Sequence, residues 1–107
     1  MEGDLLRGNL DMLLLATLEA GPAHGYAIIE KLRWRSKGAF DLPEGTVYPA
    51  LHRLENAGLV KSQWSSETGR RRRVYNLTRK GKAARSERTA AWYQFIGAVD
   101  SALAGAP

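Results

Sequence analysis

The sequence predicts a mainly helical fold with one small β-hairpin, and three observations support this prediction. Apolar residues recur at steps of three and four in four segments, which is typical of helices with one buried face. Between residues 59 and 77 the pattern changes to alternation, which is typical of strands. The chain has 107 residues, enough for one domain, and no apolar run approaches the roughly 20 residues that a membrane-spanning helix needs.

The first two predicted helices have clear start and stop signals. Asp4 is suited to cap a leucine-rich first helix, which Gly21-Pro22 ends. The second helix begins after His24-Gly25 and runs to about Ser36. We expect His24 to be a helix cap or a core partner, because no cysteine and no second histidine stands at a metal-ligand spacing from it. The predicted buried residues of the second helix are Tyr26, Ile28, Ile29 and Leu32.

The third helix starts near Pro43, since proline and the following Glu44 suit a first helical turn. We expect Pro49 to be tolerated because it lies within about the first turn of the helix, where a missing N–H removes few hydrogen bonds. Gly58, at the C′ position, ends the helix. The residues spaced to face inward are Val47, Ala50, Leu51 and Leu54.

A hairpin and a long helix complete the chain. Residues 59–64 and 73–77 are the two predicted strands, and turn residues 65–69 followed by three arginines join them. Thr78 is placed to cap a last helix that continues to about Leu103. Residues 104–107 are expected to fray.

Three short helices followed by a hairpin is the order of a winged helix-turn-helix, here with a long C-terminal helix added. In that fold the third helix enters the major groove of DNA and the hairpin lies beside it as a wing. We expect residues 1–78 to form the DNA-binding domain and residues 79–107 a dimerisation helix continuous with it. The outward residues of the third helix, which we predict to contact DNA, are Thr46, Tyr48, Pro49, His52 and Arg53. As alternatives, Tyr48 packs under the wing, and Arg53 pairs with Glu55 or with a neighbouring helix.

The net charge of +5 is concentrated in the second half of the chain. Residues 1–53 carry six Lys/Arg against seven Asp/Glu, whereas residues 54–107 carry ten against four. Four bases are adjacent at the tip of the hairpin: Arg70, Arg71, Arg72 and Arg73. Because exposed ion pairs contribute only about 0–1 kcal/mol, we expect this run to gain little within the chain and to contact DNA phosphates. The alternative is a solvated turn.

The last helix predicts a homodimer. Its second half carries an apolar stripe that a single helix cannot leave in water, and pairing with a second copy is the simplest way to cover it. A two-fold dimer on successive major grooves would read an inverted-repeat operator in double-stranded DNA. The alternative is that the helix folds back on its own domain. The predicted interface residues are Leu10, Leu14, Trp92, Phe95, Ile96, Val99 and Leu103.

Other function classes have little support in the sequence. We find no glycine-rich phosphate loop, no Ser/His/Asp set and no metal-ligand spacing, so we expect neither an enzyme nor a cofactor or metal. No basic amphipathic helix favours a membrane partner. The chain has no cysteine, which fits a reducing compartment. Its first residues show no basic region followed by an apolar region, so we expect no signal peptide. We therefore expect a cytoplasmic protein.

Five segments together resemble the PadR family of bacterial transcriptional regulators. They are LRGNL (6–10), HGYAI (24–28), GTVYPALHRLE (45–55), GLV (58–60) and RRRVYNLT (71–78). The resemblance implies a homodimeric repressor of the short subgroup, with the recognition helix at residues 46–55 and the wing at Arg70–Arg73. It also implies a response to small aromatic or drug-like molecules at the dimer centre. Trp92, with Phe95 and Ile96, is the corresponding candidate ligand site.

The sequence thus predicts a DNA-binding transcriptional regulator, most simply a repressor released by a small hydrophobic effector. Two alternatives stay open. One is a constitutive DNA binder without an effector, and the other is a basic module that binds an acidic protein surface.

Overall fold

The computed structural model describes residues 3–67 and 69–105. Within these ranges the chain forms five α-helices and a three-stranded antiparallel sheet, which confirms the predicted fold class. No helix of this part of the chain is long and apolar enough to cross a membrane. The elements are α1 (Gly3–Arg7), α2 (Leu10–Leu18), β1 (Ala23–His24), α3 (Gly25–Arg35), α4 (Glu44–Asn56), β2 (Val60–Ser65), β3 (Arg72–Leu77) and α5 (Arg79–Leu103).

The predicted first helix is broken into α1 and α2, so the expectation of one continuous helix was wrong. Asp4 lies inside α1 and does not cap it. The break falls at Gly8 and Asn9, since glycine is a poor helix former and asparagine competes for backbone hydrogen bonds. Asn9 Nδ2 donates to the carbonyl oxygen of Leu5 at 2.8 Å. This bond satisfies an acceptor that the end of α1 would otherwise leave free.

Helix α2 lies at the centre of the core, packed against α3, α4 and α5. This position corrects part of the predicted dimer interface. Leu10 and Leu14 are only 6% and 0% exposed within the single chain. Their side chains are covered by the chain's own core and present no apolar surface to a second copy.

Helices α3 and α4 begin and end close to the predicted residues. Nδ1 of His24 accepts the Ala27 N–H at 3.2 Å, which confirms the predicted cap. Tyr26 is 56% exposed, so its predicted burial was wrong, whereas the four predicted inward residues of α4 are all buried. Pro49 is the sixth residue of α4 and lies in its second turn, not its first. It is tolerated on the exposed side of the helix, where only the bond to the Gly45 carbonyl is missing.

The C-terminus of α4 is closed by a two-bond motif. Gly58 has a φ of 79°, a left-handed conformation that glycine adopts without strain. Leu59 N–H donates to Leu54 O at 2.9 Å and Gly58 N–H donates to Glu55 O at 3.0 Å. These are the two bonds of a Schellman motif, and they turn the chain directly into β2.

The sheet has the order β1-β3-β2. The hairpin pairs Val60 with Leu77 at its base and Ser65 with Arg72 at its tip. Thr68 of the predicted turn lies outside the described residues. Strand β1, which was not predicted, pairs Ala23 with Tyr75. Its two residues are too few to show a period in the sequence.

Helix α5 starts one residue after β3. Oγ1 of Thr78 accepts the Gly81 N–H at 3.0 Å and donates to the Gly58 carbonyl at 2.7 Å, which confirms the predicted cap. Gly81 is the one residue of α5 that is buried in the described chain. A Cβ added there would lie 1.9 Å from the carbonyl oxygen of Leu59. The absence of a side chain therefore lets the base of α5 sit directly on the turn before β2. Residues 106 and 107 of the predicted frayed end lie outside the described residues.

Candidate nucleic-acid interface

Helix α4 turns a polar face outward because its other face is buried in the core. Thr46, Tyr48, Pro49, His52 and Arg53 are all exposed, as the sequence predicts. At 100° per residue the helix places Pro49 and His52 at the centre of this face. Tyr48 lies at the edge toward the hairpin and Arg53 at the edge toward α2. Asn56 shares the central stripe and is exposed, although the sequence pattern did not single it out.

Arg53 pairs with a neighbouring helix, one of the two alternatives left open. Its Nη2 donates to Oδ1 of Asp11 on α2 at 2.5 Å. The Arg53 side chain remains 60% exposed. It is therefore held by one carboxylate while part of its guanidinium faces solvent.

Tyr48 lies in a cleft between α3, α4 and the hairpin. Its ring is so close to Gly25 that an added Cβ would lie 2.5 Å from Cε1. The cleft measures about 470 Å³ and is lined by His24, Tyr26, Tyr48, Trp64, Arg70, Arg71, Arg72, Arg73 and Tyr75. The structure thus brings Tyr48 of α4 and all four predicted wing arginines to one concave, cationic surface.

The wing arginines have more partners within the chain than expected. The guanidinium carbon of Arg71 lies 4.3 Å from the ring centroid of Trp64, and that of Arg73 lies 5.3 Å from it. Arg73 Nε also donates to Ser62 Oγ at 2.6 Å. Arg71 and Arg73 thus make intramolecular contacts that the sequence analysis did not anticipate. The hairpin register places Trp64 opposite Arg73, and this pairing is the signal that would have predicted the stack.

His24 stands where the start of α3 meets the wing. Burial, and then the charge of Arg72, lower its pKa below the ordinary value, so the ring is neutral at pH 7. Nδ1 accepts from Ala27, while Nη1 of Arg72 lies 2.8 Å from Nε2. A neutral imidazole has one lone pair to offer. In the tautomer in which Nδ1 accepts from Ala27, Nε2 therefore carries the ring hydrogen and cannot accept from Arg72.

Tyr75 closes the floor of this cleft. Burial, and then the nearby Glu55 carboxylate, raise the pKa of its phenol. The group stays protonated at neutral pH, so it adds no negative charge to the arginine-lined surface.

A second region with aromatic residues lies where α5 passes α1 and α2. Trp92 and Phe95 have ring centroids 6.2 Å apart, and both line a cleft of about 560 Å³ with Asp11 and Arg88. Trp92 also lines an apolar cavity of about 270 Å³ formed by Leu5, Leu6, Asn9, Met12, Leu13 and Phe40. Ile96, the third predicted ligand residue, is not among the residues that line either space.

The end of α5 is not covered by the described chain. Leu103 is 80% exposed and Phe95 is also exposed, while Ile96 and Val99 are half-buried. The molecule is elongated, with extents of 60 × 28 × 20 Å. The apolar stripe that the sequence shows on α5 therefore stays accessible in a single copy.

Comparison with known proteins identifies related regulators. The sequence profile of the transcriptional regulator PadR-like family matches residues 14–87. A transcriptional regulator from Clostridium thermocellum is 29% identical, with a TM-score of 0.86 over 94% of this chain and 96% of that one. A PadR family transcriptional regulator from Eggerthella lenta is 33% identical, with a TM-score of 0.81 over 94% and 86%. A transcriptional regulator of Mycobacterium tuberculosis is 42% identical over 64 residues, which are 60% of this chain and 57% of that protein.

Proposed function

The chain belongs to the PadR-like family of transcriptional regulators, and from this premise we propose that it is a dimeric, sequence-specific repressor released by a small hydrophobic effector. Residues 1–78 bind DNA and residues 79–107 dimerise. One observation carries the proposal: Tyr48, at one edge of the exposed face of α4, and the arginine-bearing hairpin border the same cationic cleft. A groove-entering helix beside a basic wing is the arrangement that reads duplex DNA.

Binding to DNA upstream of the coding region tests this function. Fluorescence anisotropy should show tighter binding to that DNA than to random duplex at moderate salt. Replacing Arg71 and Arg72 by alanine should weaken both, and should reduce the salt slope by about 0.9 for each phosphate that the protein no longer neutralises. Replacing His52 should change sequence preference instead. Equal affinity for upstream and random DNA in the wild type would refute the proposed repressor function.

The dimer is supported by the uncovered stripe on α5. Paired with a second copy, it would set two α4 helices on one face of an inverted repeat. Leu103→Glu should shift sedimentation equilibrium toward monomer, because a carboxylate cannot be buried in an apolar interface. Ser101→Glu, on another face of α5, is the matched control and should leave the dimer intact. A wild type that stays monomeric at working concentration would contradict this part of the proposal.

The effector site is supported by the apolar cavity against Trp92. Its lining is hydrophobic and its volume of about 270 Å³ suits a small aromatic compound. Planar hydrophobic compounds should quench tryptophan fluorescence and lower operator affinity. Trp92→Ala should lose most of the quenching, whereas Trp34→Ala, which removes an exposed ring on α3, should retain it. Unchanged quenching in Trp92→Ala would remove Trp92 from the site, and wild-type DNA affinity insensitive to every quenching compound would indicate a constitutive binder.

A further inference from the structure

One carboxylate on α2 joins the recognition helix to the C-terminal helix. Asp11 accepts a hydrogen bond at Oδ1 from Arg53 of α4, at 2.5 Å. Its other oxygen, Oδ2, lies 3.7 Å from Nη1 of Arg88 on α5. The Asp11 side chain is only 30% exposed, so two guanidinium groups share one partly buried negative charge.

The same carboxylate borders the aromatic cleft. Asp11 and Arg88 both line the space that Trp92 and Phe95 border. A molecule in that cleft which contacts Asp11 or Arg88 changes how strongly the carboxylate interacts with each of its two arginines. Arg53 lies at the other end of this chain of contacts, on the edge of the exposed face of α4.

We propose that Asp11 is a positioning residue that sets how much of Arg53 is available to DNA, an inference that rests on the proposed function. A DNA phosphate and the Asp11 carboxylate are both anions, and they compete for one guanidinium group. The interaction of Asp11 with Arg88 weakens its hold on Arg53, and this favours binding of Arg53 to a DNA phosphate. Removal of the Arg88 charge has the opposite effect, since Asp11 then holds Arg53 alone.

The size of the effect follows from the exposure of the pair. Partly exposed ion pairs contribute up to about 1 kcal/mol, which corresponds to about a five-fold change in affinity. Asp11→Asn should therefore bind operator DNA about two- to five-fold more tightly at moderate salt. The slope of log affinity against log salt should steepen by about 0.9 if Arg53 gains one phosphate.

Glu19 supplies a matched control on the same side of the molecule. It follows α2 directly, and its carboxylate lies 2.6 Å from Nε of Arg85 on α5. Glu19→Gln removes the same charge beside the same long helix while leaving the Arg53 pair intact. Its affinity and salt slope should stay close to those of the wild type.

The decisive measurement is a double-mutant cycle by fluorescence anisotropy. Asp11→Asn should have little effect on affinity in an Arg53→Ala background. In a second arm, Arg88→Gln should weaken binding more than Arg85→Gln, and this arm stays informative if Asp11→Asn folds poorly. Equal effects of Asp11→Asn and Glu19→Gln, or an Asp11→Asn effect that persists without Arg53, would overturn the inference. A wild type that shows no operator preference would instead remove the proposed function.

Discussion

Gly81→Ala should destabilise the protein severely, although alanine in a helix normally stabilises by about 1 kcal/mol relative to glycine. The new Cβ would lie 1.9 Å from the carbonyl oxygen of Leu59 and 2.9 Å from its carbonyl carbon. Both of these are backbone atoms and no rotamer change moves them. An ordinary contact begins near 3.4 Å, so the base of α5 has to move by about 1.5 Å to relieve the overlap.

That movement breaks the junction that holds α5 to the rest of the domain. The Leu59 carbonyl accepts the Thr78 N–H at 3.2 Å, and Thr78 Oγ1 donates to the adjacent Gly58 carbonyl at 2.7 Å. Overpacking costs about 1–3 kcal/mol and each broken hydrogen bond about 1 kcal/mol. We expect the free energy of unfolding to fall by about 3 kcal/mol in total.

Urea unfolding at one fixed protein concentration measures this change, because dimerisation would make stability depend on concentration. Gly97→Ala is the matched control in the same helix, since a Cβ there meets nothing within 4 Å. It should raise the free energy of unfolding by about 1 kcal/mol. A Gly81→Ala protein as stable as the wild type would show that α5 does not sit on the Leu59 carbonyl as described.

Three further predictions concern the cleft beside the wing. The pKa of His24 is lowered below its ordinary 6.5, so below pH 6.5 the unfolded state binds more protons than the folded state. The free energy of unfolding therefore decreases as the pH is lowered from 6.5 to the lowered pKa. His24→Asn, which replaces the capping ring nitrogen by a capping amide oxygen, should lose this part of the pH dependence in thermal melts. Gly25→Ala should displace the Tyr48 ring. Loss of one hydrogen bond from Tyr48 to DNA, about 1 kcal/mol, should weaken operator binding several-fold, with little change in melting temperature. Trp64→Ala should weaken DNA binding about two- to five-fold, since it removes a cation–π contact worth about 0.5–1 kcal/mol from the wing.

Each of these predictions has an outcome that contradicts it. A pH dependence that survives in His24→Asn would assign it to another group. Trp34→Ala, at the far end of α3, should leave DNA affinity unchanged. Unaltered DNA affinity in Trp64→Ala would show that the arginines need no aromatic support, and unaltered affinity in Gly25→Ala would exclude Tyr48 as a contact.

The helix ends were predictable from the sequence because their signals are local. The cap at His24, the left-handed Gly58 and the cap at Thr78 each depend on residues within five positions of one another. The hairpin followed in the same way from a change of period and a cluster of turn residues. These features were enough to order the helices and strands and to name the fold.

The side chains that pair with one another were not predictable, since these pairs join residues far apart in the sequence. Arg53 and Asp11 are 42 positions apart, and no local pattern pairs them. Leu10 and Leu14 show the same difficulty. A leucine-rich helix reveals that apolar surface must be covered, but only the packing of α2 among three other helices shows that its own chain covers it. The DNA contacts and the pairing of the α5 stripe with a second copy stay predictions, because they concern a second molecule.

Because a single residue separates β3 from α5, the direction of the C-terminal helix is tied closely to the sheet. Gly81 is its pivot, and Leu103 lies about 33 Å beyond it at 1.5 Å per residue. A rotation of about 5° at the pivot therefore swings the tip by about 3 Å. The same rotation would also act on β3, because Thr78 alone separates the two elements, and the other end of β3 carries Arg72 and Arg73. A large displacement at the tip of α5 would therefore correspond to a much smaller displacement at the hairpin.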